Sequence, residues 1–146
     1  MKQIVLALAL PALSATASVA APALKDRKPD DATRIVGVWA QESLSLRGQE
    51  PQGGQRGSFR FDKDGTCAIG SANGSQFPVS RYTLDPASSP RRMKWLNGPE
   101  LTEWQCLYEL DADTLKVAFV DQGTEAPKKI EPTKNLTIYY LKRVKD

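Results

Sequence analysis

From position 35 onward the chain is a run of short segments with alternating apolar residues, cut apart by turn residues, and none of them carries a sustained 3.6-residue period. The segments fall at 35–46, 57–61, 66–70, 77–84, 92–96, 101–110, 114–120 and 136–143. The breaks between them hold turn chemistry. Asp62-Lys63-Asp64-Gly65 reads as a hairpin turn in which Gly65 takes the positive φ of a tight turn. Residues 71–75, Asn97-Gly98-Pro99 and Asp111-Ala112-Asp113 read as further turns, and 47–56, 85–90 and 121–135 as longer loops. Eight short strands joined in sequence predict an all-β fold, an eight-stranded antiparallel up-and-down barrel, because closing the sheet on itself removes both exposed edges.

Side chains alternate across a strand, so the pattern also assigns an interior. Leu115, Val117 and Phe119 share one face, as do Trp104, Cys106, Tyr108 and Leu110, while Lys116, Gln105 and Glu109 take the other. Phe59 pairs with Phe61 around Arg60, and Cys67 with Ile69. In 77–84, Tyr82 and Leu84 are placed inside, because Arg81 inside would need a partner. In 136–143, Leu136, Ile138 and Tyr140 are placed inside.

The first residues predict the compartment. Lys2, an apolar stretch over 4–17 broken by Pro11, and Ser18-Val19-Ala20 form the three regions of a secretory signal peptide cut after Ala20, with Ala15-Thr16-Ala17 as the rival site. The stretch is too short for a membrane span, and no later segment approaches that length. The reading is therefore a signal peptide at 1–20, a flexible leader at 21–33 carrying Pro22 and Pro29, and one domain at 34–146, exported to the periplasm or beyond. Removing residues 1–20 leaves 126 residues with a formal charge of +2, near balance, so no nucleic-acid partner is expected. Arg91-Arg92-Met93-Lys94 and Lys142-Arg143-Val144-Lys145 read as solvated strand edges that discourage pairing with other chains.

The composition removes most catalytic chemistry. The chain has no His and two Cys, which excludes His-based catalysis, His metal sites and a four-cysteine zinc site. No metal, cofactor or catalytic residue is assigned. Asp62 and Asp64 beside Gly65 share features with a calcium loop, but an EF-hand needs Gly at its sixth position and Glu at its twelfth, so the turn reading is preferred. Glu100 and Glu103 flank the start of 101–110 and are the one candidate acid/base pair, for a hydrolase alternative. Cys67 and Cys106 both point inward by alternation, and two cysteines in an exported protein usually pair. Their strands would not be neighbours in a meander, however, and facing sheets lie about 10 Å apart where a disulfide needs Cα atoms within about 7 Å. A disulfide is the expectation and two buried free thiols the alternative.

Gly37-Val38-Trp39 opens the first strand and Arg143 closes the last, a pairing that resembles the lipocalin superfamily. The resemblance implies that Trp39 sits under the barrel as a plug, next to Gly37, with Arg143 stacked on its ring, an arrangement favoured by cation–π attraction. Tyr82-Thr83-Leu84-Asp85-Pro86, the run Tyr108-Glu109-Leu110-Asp111-Ala112-Asp113-Thr114-Leu115-Lys116 and the closing Leu141-Lys142-Arg143 together resemble an uncharacterised secreted domain family expanded in planctomycete bacteria, over about residues 35–144. That family often carries Arg-Pro before its last strand, where this chain has Glu131-Pro132. The resemblance implies a lipocalin-like barrel and brings no catalytic residues.

Aromatics are the remaining chemical signal. Phe59, Phe61, Tyr82, Trp104, Tyr108, Phe119 and Tyr140 are candidates to line a cavity open at one end, with 47–56 and 121–135 as loops at its mouth. Two readings follow. In one, the barrel holds a small, partly apolar ligand. In the other, side chains fill it and it serves as a structural or interaction module of the cell envelope, with a protein or polysaccharide partner.

Overall fold

The computed structural model describes residues 30–53, 57–70 and 79–145. The signal peptide and most of the leader, the tip of the 47–56 loop, the 71–75 turn and the first residues of the expected 77–84 strand lie outside the described residues.

The helical turn α1 (Asp31–Arg34) comes first. Its N-cap Asp30 accepts a hydrogen bond from the Thr33 amide, satisfying a donor that a helix start leaves open. Among the described residues nine strands follow: β1 (Gly37–Leu46), β2 (Gln52–Gly53), β3 (Ser58–Phe61), β4 (Thr66–Gly70), β5 (Ser80–Asp85), β6 (Arg91–Asn97), β7 (Thr102–Leu110), β8 (Thr114–Val120) and β9 (Leu136–Arg143). All pairings are antiparallel, in the order β2-β1-β3-β4-β5-β6-β7-β8-β9, and β1 pairs with β9 to close eight strands into a barrel. β2 is extra: it lies in the 47–56 loop and adds two residues beside Ser43 and Leu44 of β1. Residues 30–33, expected in a flexible leader, are folded instead, and Asp31 is buried.

The hairpin turn between β3 and β4 has the expected chemistry. The Gly65 amide donates to the Asp62 carbonyl, and Gly65 has φ of 84°. β1 carries a bulge between Gln41 and Ser43 where it faces β9. The extra residue shifts its alternation, so that Trp39 and then Leu44 share the inner side with Leu141 and Tyr139 of β9.

Two apolar clusters result. The barrel interior holds Trp39, Phe59, Phe61, Cys67, Tyr82, Met93, Trp95, Cys106, Tyr108, Leu115, Val117 and Leu141. A second cluster lies on the outer face of β7, β8 and β9, where Leu107, Ala118, Val120, Leu136 and Ile138 are covered by Ala126 and Ile130 from the 121–135 loop. This corrects two expectations. Leu136, Ile138 and Tyr140 face outward, and Tyr139 and Leu141 take the interior, because β9 is apolar on both faces and alternation alone does not separate them. The 121–135 loop is a strap across the outer wall and not a gate at the mouth.

A third correction concerns the cysteines. Cys67 and Cys106 are both buried and free. Cys67 is on β4 and Cys106 on β7, with β5 and β6 standing between them in the barrel wall, so the expected bond does not form. The basic run at 91–94 is likewise not an edge. β6 is paired on both sides, Arg92 and Lys94 are exposed, and Arg91 reaches the buried Asp31 carboxylate at 3.2 Å.

Candidate functional site

The two ends of the barrel differ. One end is sealed. Trp39 is completely buried, its Nε1 donates to the Ile35 carbonyl at 2.8 Å, and the Arg143 guanidinium lies 4.2 Å from its ring centre. Arg143 also donates to the carbonyls of Val36, at 2.9 Å, and of Arg34, so one side chain ties the last strand to the segment before the first. Gly37 belongs to this arrangement: its φ is 131°, and a Cβ there would come within 3.0 Å of an Arg143 nitrogen. Beside it, the Tyr108 hydroxyl donates to Asp31 at 2.8 Å, and Asp31 accepts as well from Arg34. Burial, followed by this hydrogen bond and the Asp31 charge, pushes the Tyr108 hydroxyl well above the usual tyrosine pKa.

Among the described residues the other end is open. On four strands the inward residues pass from buried near the floor to partly exposed near the mouth: Cys67 then Ile69 on β4, Cys106 then Trp104 on β7, Val117 then Phe119 on β8, Leu141 then Tyr139 on β9, while Ser80 on β5 and Trp95 on β6 stay buried at the mouth. These upper residues enclose a cavity of about 530 Å³, which also takes in Ser80, Trp95, Asn97, Gly98 and Thr137. That is within the range of small-molecule sites. Phe119 sits at the centre of the aromatic wall, with ring centres 5.5 Å from Trp95, 6.5 Å from Trp104 and 5.7 Å from Tyr139. Ser80, 5% exposed, donates its hydroxyl to the Asn97 side-chain oxygen at 3.1 Å. Burial raises the Tyr139 hydroxyl above its ordinary pKa, so it is neutral at physiological pH.

Of the seven aromatic residues expected to line a cavity, Trp104 and Phe119 do so. Phe61, Tyr82 and Tyr108 are buried in the barrel core, Phe59 is buried beneath the cavity against Tyr139 and Trp95, and Tyr140 is outside the barrel, with Lys116 Nζ 5.9 Å from its ring centre. Trp95 and Tyr139 are the wall residues that sequence reasoning missed. Trp95 shares its strand's inner face with Met93, a two-residue alternation legible in 92–96. Tyr139 is hidden by the double-sided apolar pattern of β9.

The acidic candidates stand apart from the cavity. Glu103 is on the outer wall, 3.5 Å from Lys94 Nζ, and Glu100 is exposed in the turn before β7. A shallow depression of about 580 Å³ near the sealed end is lined by Arg91, Lys128 and Lys129 together with Glu109, Asp111 and Glu131, a mixture of signs that favours neither polyanions nor cations. Among the described residues no helix is long and apolar enough to cross a membrane. Comparison of the chain with protein-family models, with curated proteins and with solved structures gives no match.

Proposed function

We propose that this chain is an exported, non-enzymatic binding protein with a lipocalin-like barrel that holds a small, partly apolar molecule at its open mouth. The observation that carries the reading is the gradient of exposure along the inner side of β4, β7, β8 and β9. The lower half is packed to exclusion of solvent, and the upper half leaves a walled cavity whose lining is aromatic with a few hydroxyl and amide groups. Side chains with a large apolar face left half-exposed inside a barrel give up burial that a ligand restores.

The packed lower half is the observation that favours the other reading, a filled barrel serving as an envelope module. Native mass spectrometry of protein purified from its own host separates the two. A non-covalent adduct of a few hundred daltons that leaves on denaturation is the expected result. A bare mass, together with unchanged tryptophan fluorescence on titration with apolar aromatic compounds, would refute the ligand-binding reading and favour the module.

A further inference from the structure

The charge pattern of the mouth narrows what the cavity accepts. None of the described residues that line it is charged. Alternation turns the charged residues of the same strands outward: Arg81 on β5, Lys94 on β6 and Glu103 on β7 are exposed, while Ser80, Trp95 and Trp104 share the inner side. An ionised ligand entering this space would lose hydration and meet no opposite charge to offset the loss.

An aromatic wall alone is compatible with a cation held over ring faces. The ring geometry argues against that use. Phe119 meets Trp95, Trp104 and Tyr139 at interplanar angles of 63°, 72° and 76°. Edges, the positive rims of the rings, are interleaved with faces, so the wall is not a cage of faces converging on one point. It presents slots suited to a flat apolar body.

The polar contacts are oriented too. The Ser80 hydroxyl donates to the Asn97 side-chain oxygen, which takes one of that oxygen's two lone pairs and anchors the amide, so the amino group is the part of Asn97 that offers a ligand donors. Asn97 is exposed at the rim of the cavity, so it reaches the polar end of a molecule whose flat body lies deeper.

From this we infer that the mouth selects an uncharged, planar ring compound carrying a hydrogen-bond acceptor such as a carbonyl at its outer end. The inference rests on the mouth being a ligand site. A matched set of four probes tests it on the full protein: 2-acetonaphthone, naphthalene, 2-naphthoate and 2-naphthylmethylammonium, titrated against tryptophan fluorescence. The neutral ketone should bind most tightly, and the anion and the cation about tenfold or more weaker. Asn97→Ala should bring the ketone down to the level of naphthalene and leave naphthalene unchanged. Asn97→Asp, which keeps the shape and offers a carboxylate, should weaken the ketone as well. If either ion binds as tightly as the ketone, the selectivity is wrong while the site stands. If the Asn97 variants leave the ketone unaffected, the donor role is wrong. If no probe of the four binds, the mouth is not a site for small aromatic molecules and the inference falls with it.

Discussion

Trp39 is fixed from two directions at once, by the Ile35 carbonyl at its Nε1 and by the Arg143 guanidinium over its ring. Truncating a buried ring leaves a cavity as well as lost burial, so Trp39→Ala is expected to cost about 3–5 kcal/mol in a denaturant titration. Arg143→Lys keeps the charge and gives up the planar fork that reaches two carbonyls, and should cost about 1–3 kcal/mol. An unchanged midpoint in either variant would remove the plug from the account. The thiols make a separate claim. Burial pushes Cys67 up to about 12, with the Asp62 charge adding to the effect, and burial raises Cys106 as well. Thiolate is the reactive form, so the folded protein at pH 8 should resist a disulfide reagent, and the denatured, unreduced chain should titrate two thiols. Finding none after denaturation would mean that the bond forms after all.

At the scale of elements, β9 decides how the wall divides. Its outward Ile138 packs beneath the strap, and its inward Tyr139 faces the mouth. Ile138→Ala should therefore lower stability by about 2–4 kcal/mol without changing the affinity of an aromatic probe for the folded protein. Tyr139→Ala should weaken the probe. The reverse pairing of effects would mean that the register of β9 is off by one residue. The same strand shows where sequence reading stops. All eight expected strand segments appear as strands, and the faces of Phe59, Tyr82, Trp104 and Phe119 follow from alternation because a charged residue, Arg60, Arg81, Glu103 and Lys116 in turn, marks the opposite side of each strand. β9 has Leu136, Ile138 and Tyr140 on one side and Tyr139 and Leu141 on the other. Both sides are covered, one by the barrel and one by a loop whose Ile130 lies at the end of a stretch with no period of its own. The short β2 and the helical turn α1 were illegible for a related reason. Each is held mainly by tertiary contacts, Gln52–Gly53 by β1 and Asp31 by Tyr108 and Arg91, and the local Asp30 cap alone is too short a signal to mark a four-residue turn.

At the scale of the whole molecule the barrel is two materials, a solid base that carries stability and a hollow rim that carries the candidate site. The base also stores a dependence on pH. Tyr108 and the two thiols have pKa values above those they would take in the unfolded chain, chiefly because burial penalises their charged forms. A raised pKa means that the folded state holds its proton where the unfolded state has released it. The stability linked to these groups is thus complete below the ordinary thiol pKa of about 8.5, begins to fall as pH passes that value and the ordinary tyrosine value of about 10, and is gone only once pH has climbed through the raised values of the folded state, about 12 for Cys67. Melting temperature should hold level from pH 6 to 8 and fall steeply above pH 9. Tyr108→Phe isolates one contributor. It removes the hydrogen bond to Asp31, so the variant should melt lower at pH 7. It also removes a group that must ionise on unfolding in alkali, so its decline between pH 9 and 11 should be shallower than the parent's. Parallel curves for the two proteins would show that Tyr108 takes no part in the alkaline transition and would assign that transition to the thiols and the remaining tyrosines.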